Sequence, residues 1–291
     1  MSVETRPGST QFAESFNSPQ SAEQRFYPRN NHRFPENRRE FLALLMREIP
    51  ALGIDCLSLV NDFTRGFWVE RAQLNRELRN GLDVSGGGDG SVAVIAPGYG
   101  GTEWWYYPLE DFLERNGHTP VFLHHNSIVN DEPIAKRKER HMETIINLYK
   151  KSGRKVHFIG DSQGGLTAAA MAVDYPKDFQ KSVEDVWFIG APKPRRVNLL
   201  IGIAYLWSQM WHRENDFGLV RKLERLEEIE TEGKVPFRSI YSPSDVALPE
   251  GLPIGVHFPT NGSHIGGAVN LQHLKLIVST WAERADLAAV V

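Results

Sequence analysis

From Val92 to the C-terminal end, short apolar runs rich in β-branched residues alternate with longer stretches whose apolar positions recur every three or four residues. The short runs predict strands at 92–96, 120–124, 155–160, 186–190, 237–241 and 255–258. The intervening stretches predict helices near 103–116 and 133–151, over Leu166–Val173 up to the break at Pro176, and near 268–286. Asp131 and Pro133 suit the cap and first turn of the second of these. Alternating strands and helices of this kind imply an α/β fold, a mostly parallel sheet with helices on both faces. The rhythm breaks between about 193 and 235, where an apolar stretch, Val197–Trp207, precedes the charged amphipathic run Arg221–Glu232. That excursion predicts a helical cap insertion.

Upstream the pattern differs. Residues 1–36 are rich in Ser, Gln, Asn, Glu, Arg and Pro, and predict a disordered or loosely docked tail. Residues 37–83 carry helical spacing (Phe41, Leu44, Leu45, then Ile54, Leu57, Val60, Phe63), broken at Pro50, and predict a helical section packed on the core. It carries no catalytic signal of its own. Val84–Ser91 (VSGGGDGS) is a joint into the domain 84–291.

Composition changes this picture little. Apolar residues make up 41% and charged residues 24%, as in an ordinary globular chain, and a net charge of −3 gives no argument for nucleic acid or an anionic membrane as partner. No apolar run approaches the ~20 residues of a membrane span, and the polar N-terminal end lacks the layout of a secretory leader. The single cysteine, Cys56, excludes an intrachain disulfide and reads as packing. A cytoplasmic protein is the expectation.

The candidate chemistry centres on Lys155–Gly165, KVHFIGDSQGG. A strand ending at Gly160, the sequence Gly160-Asp161-Ser162-Gln163-Gly164 and a following helix form a G-x-S-x-G strand–turn–helix, which lifts a serine hydroxyl clear of the sheet. Glycine two residues either side of the serine is expected where a β-carbon would strike the neighbouring strand or helix. A hydroxyl is a poor nucleophile at neutral pH and needs a base, itself oriented by a third group. Reacting groups of an open parallel sheet collect beyond the carboxyl ends of its strands. Asp245, in YSPSD after strand 237–241, and His264, in TNGSH after strand 255–258, meet that condition, with Glu250 and His257 as their rivals.

With GDSQGG as elbow, IAPGYGGT as the loop after the first strand, YSPSD as acid and GSHIG as base, residues 91–286 resemble a lipase- or esterase-type member of the α/β-hydrolase superfamily. The resemblance implies a Ser162–Asp245–His264 triad in which Ser162 attacks an acyl carbonyl, His264 moves the proton and Asp245 orients the imidazole. It implies an oxyanion hole from the N–H groups of Gln163 and of Tyr99, with Gly100 as alternative. It also implies a small-molecule acyl ester or thioester as substrate, no cofactor, and an apolar cap suited to a hydrophobic acyl group.

Several residues have plainer readings. Trp104 and Trp105 suit an acyl pocket or helix core equally. His124-His125 on a strand would face opposite ways and do not suggest a metal pair. Lys136-Arg137-Lys138-Arg140 reads as the solvated face of a helix, and Asp161 as a residue near the sheet surface with no assigned role. The leading function is ester hydrolysis through an acyl-enzyme. Thioester cleavage or acyl transfer would use the same triad, and a non-enzymatic binding protein on this scaffold would carry a broken one.

Overall fold

The computed structural model describes residues 60–61, 64–82, 89–98, 101–124, 134–191, 235–242, 254–263 and 266–290. The tail, residues 37–59 with Cys56, the Asp131 cap and nearly all of the expected cap insertion lie outside the described residues.

The described strands form one parallel sheet of six. They are β1 (Val92–Ala96), β2 (Thr119–Phe122), β3 (Val156–Asp161), β4 (Val183–Ile189), β5 (Phe237–Tyr241) and β6 (Val256–Pro259), in the order β2-β1-β3-β4-β5-β6. Register places Val94 beside Val121 and Phe158, and Gly160 beside Phe188. From β1 the chain first steps outward to β2, then returns across β1 to β3. The strand order therefore reverses between β1 and β3, the kind of position at whose carboxyl ends open parallel sheets collect their reacting groups.

Helices cover both faces, as near-continuous apolar strands require. One face carries α3 (Ile134–Ser152), α4 (Gln163–Asp174) and α5 (Pro176–Ser182), whose Met142, Ile145, Ala168, Met171 and Phe179 pack on Phe158, Val186 and Phe188. The other carries α1 (Arg71–Arg79), α2 (Glu103–Arg115) and α6 (Leu271–Val290). Their Leu74, Leu78, Leu109, Phe112, Leu274 and Trp281 pack on Ile95, Ile159 and Trp187. Pro176 ends one helix, as its ring demands, and also starts α5, which the sequence pattern did not reveal.

One charged feature departs from the sequence reading, and a second carried no sequence signal. Arg137 is fully buried and Lys138 pairs with Asp174, so the basic run on α3 is in part an interhelical contact. A helix lying between sheet and solvent has flanks that meet its neighbour, here α4, and long cationic side chains bury their stems there. At the amino ends of the strands, the buried Asp185 carboxylate is held by Arg238 at 3.1 Å, His157 Nδ1 at 2.8 Å and Trp281 Nε1 at 3.1 Å. This network lies at the opposite end of the sheet from Ser162.

Pro108 sits inside α2 and has no N–H for the Trp104 carbonyl one turn back. Arg71 supplies that donor instead, its Nη2 lying 2.7 Å from the Trp104 oxygen and its guanidinium 4.7 Å from the Trp104 ring centre. Among the described residues no helix is long and apolar enough to cross a membrane.

Candidate active site

Ser162 stands between β3 and α4 with φ 48° and ψ −113°, and is the one non-glycine residue with positive φ among those described. The cause is visible on either side of it. Its N–H donates to the Ile189 carbonyl of β4 at 2.8 Å, continuing the sheet, while its own carbonyl accepts from Gly165 N at 3.0 Å, beginning the helix. One residue must therefore turn the chain from strand to helix, and an L-residue does so only in a sparsely populated conformation. The flanking glycines behave as the sequence requires. A β-carbon on Gly164 would lie 2.0 Å from the Ala96 carbonyl oxygen of β1, and one on Gly160 would lie 2.7 Å from Gly165 Cα. Gln163, buried, is the first residue of α4, so its N–H belongs to the group at a helix start that no carbonyl of that helix can accept.

The loop after β1 runs against this turn. A β-carbon on Gly98 would lie 3.1 Å from Ser162 Cβ, so the loop backbone runs directly beside the serine. Its position is held by a buried chain of hydrogen bonds. Gly98 N–H donates to the Tyr106 hydroxyl at 3.1 Å, and that hydroxyl donates to Asp161 Oδ2 at 2.6 Å. Burial and the adjacent Asp161 charge raise the Tyr106 phenol well above its ordinary value of 10.0, so it remains a donor at neutral pH. Asp161 is therefore buried and structural, tying the elbow to α2 and to the loop, where the sequence reading gave it no role. Gly98 N–H is thus directed to Tyr106, and Gly98 O accepts from Gly101 N–H at 3.0 Å. Tyr99 and Gly100 lie outside the described residues.

The segments that follow β5 and β6 start side by side. Thr260 N–H donates to the Tyr241 carbonyl at 2.9 Å, and Gly262 N–H to Ser242 Oγ at 3.2 Å, joining the segments after β5 and β6. Beneath them His273 of α6 is fully buried, Nε2 2.6 Å from Thr260 Oγ1 and Nδ1 2.7 Å from the Gly267 carbonyl. Burial lowers its pKa to about 4, which keeps it neutral. Asp245, Glu250 and His264 lie outside the described residues. His257, the rival base, is an exposed residue of β6 whose ring meets Tyr241 edge-on at 6.1 Å. Trp105 is buried in the core cluster, and Trp104 is 47% exposed beneath Arg71. No group of residues suited to hold a metal occurs among the described residues.

A contact without any sequence signal reaches the segment after β6 from the N-terminal section. Glu70, buried, ends a π-helical turn (Arg65–Glu70) that runs into α1. Its Oε1 accepts from Ser263 N–H at 2.8 Å, and its Oε2 from Ser263 Oγ at 3.1 Å.

No protein-family model and no curated protein matches the chain. Among solved structures, the mature form of a Bacillus licheniformis lipase is similar over 69% of this chain and 96% of that one, at 16% identity and a TM-score of 0.52. The propeptide form of that lipase is similar over 69% of this chain and 52% of its own, at 14% identity and a TM-score of 0.50. The fold is that of the α/β-hydrolases.

Proposed function

We propose that the chain is a serine hydrolase that cleaves carboxylic esters through an acyl-enzyme on Ser162. The observation that carries this reading is the backbone of Ser162, a non-glycine residue held at φ 48° at the carboxyl end of a central strand. Conformational strain of roughly 1–3 kcal/mol persists only where the surroundings impose it, and such sites cluster at reactive groups. The lipase among the similar solved structures is consistent with ester chemistry.

In the proposed cycle His264 takes the Ser162 proton as Oγ bonds to the acyl carbon, while Asp245 orients the imidazole and stabilises its charged form. The carbonyl oxygen gains the negative charge and accepts from the N–H groups of Gln163 and of Tyr99, or Gly100 in its place. The partial positive charge at the start of α4 acts in the same sense. Collapse breaks the ester C–O bond, and the alcohol leaves with the proton from His264. Water then attacks the acyl-enzyme by the same steps and releases the acid.

The test is a fluorophosphonate probe on the full chain, with the adduct mapped by peptide mass spectrometry and turnover followed on p-nitrophenyl esters of rising acyl length. A Ser162 adduct, with labelling and turnover both lost in Ser162→Ala, is the expected outcome. Native folded protein that takes no label and turns over no ester would overturn the proposal.

A further inference from the structure

The π-helical turn Arg65–Glu70 is built against Ser263 and Gly266, and the fit is close on both sides. A β-carbon on Gly66 would lie 2.5 Å from Gly266 N, so the backbone of the turn rests directly on the loop. A β-carbon on Gly266 would lie 1.9 Å from Glu70 Oε2, so the carboxylate occupies the space a side chain would take. Glu70 meets both donors of Ser263, one with each oxygen, and Ser263 Oγ in turn accepts from Gly266 N–H at 2.9 Å. Arg65 Nε, 3.2 Å from Oε1, adds a cation at the rim. A buried carboxylate is costly unless hydrogen-bonded, so these bonds commit Glu70 to this place. π-Turns recur at functional sites, and this one has its i→i−5 bond from Arg71 N–H to the Gly66 carbonyl.

The two pinned residues, Ser263 and Gly266, directly flank the segment that carries His264. We infer, on the reading of His264 as the base, that Glu70 is a positioning residue that fixes the histidine loop relative to Ser162. The N-terminal section, which showed no catalytic signal in its sequence, is then part of the catalytic apparatus through this contact. Proton transfer requires the base within about 2.6–3.2 Å of the hydroxyl. A loop free to shift by ~1 Å loses rate on the order of 10²-fold without losing the substrate pocket. A carboxylate suits the role because both of its oxygens accept, matching the N–H and O–H of one serine. A glutamine amide keeps the shape and one acceptor.

The experiment compares wild type, Glu70→Ala and Glu70→Gln as full chains. It measures the rate of fluorophosphonate labelling at Ser162, kcat and KM on p-nitrophenyl butyrate, and Tm. Glu70→Ala is expected to lower labelling rate and kcat together by roughly 10- to 100-fold, with KM within about twofold of wild type. Glu70→Gln is expected to recover a large part of the loss. If Glu70→Ala fails to fold, Ser263→Ala takes its place, expected to lower labelling rate and kcat with KM held. Folded Glu70→Ala, or Ser263→Ala in its place, that labels and turns over at the wild-type rate would overturn the role of Glu70 while leaving the hydrolase intact. So would a loss confined to KM or to Tm. Wild type that neither labels nor turns over would instead overturn the hydrolase, and this role with it.

Discussion

Replacing Tyr106 with phenylalanine tests whether the buried hydrogen-bond chain beside the serine organises the site. The hydroxyl gives one bond to a carboxylate, Asp161 Oδ2 at 2.6 Å, and takes one from Gly98 N–H at 3.1 Å. The ring keeps its place in the core, 5.4 Å from Phe122. A bond to a charged group contributes about 1.5–3 kcal/mol and a neutral one about 1 kcal/mol, so the variant is expected to lose about 3 kcal/mol of stability. For a domain of this size that corresponds to a fall in Tm of roughly 6–12 °C. Gly98 runs against Ser162, and a loosened loop should also blunt oxyanion stabilisation. We expect kcat on p-nitrophenyl esters to fall roughly tenfold, less than the loss on deleting a donor outright. Alkaline pH gives an independent check. The Tyr106 pKa is raised in the folded state, so its contribution to stability is complete below about pH 10 and is lost as pH rises through the folded value. The gap in urea midpoint between wild type and Tyr106→Phe should therefore narrow above pH 10. A Tm within about 2 °C of wild type together with unchanged kcat would refute the reasoning.

Two further outcomes follow from the same site. Ser162→Gly should raise stability by about 1 kcal/mol, because glycine accepts positive φ at no steric cost, while ester turnover disappears; denaturant unfolding that shows no gain would mean the backbone there is unstrained. His273 is held neutral with its pKa lowered to about 4, so its contribution is present above the ordinary value of 6.5 and is lost as pH falls toward 4. Urea midpoints at pH 7.5 and pH 5 should accordingly differ less in His273→Gln than in wild type, and equal differences would remove His273 from the acid response.

Much of the fold was legible because its causes are local. A buried strand shows as a short apolar run, a helix as a three-to-four spacing, and the predicted strands fall within a few residues of those observed. The glycines of the elbow were readable for the same reason, since Gly164 meets Ala96 through a clash that any such turn would create. Helix α5 was missed because Pro176, a stop signal for one helix, is equally a start signal for the next.

By itself the sequence determined the alternation of strands and helices, the turn at Ser162 and the placing of candidate partners after later strands. Only the tertiary structure decided what supports that turn and what holds the segment after β6. Asp161 meets Tyr106 across 55 positions and Ser263 meets Glu70 across 193. Neither pair has a periodicity or a motif, because an aspartate, a tyrosine or a glutamate is compatible with many local settings. Their roles come from packing: α1 and α2 lie on the same face of the sheet, where burial turns ordinary polar side chains into obligatory partners.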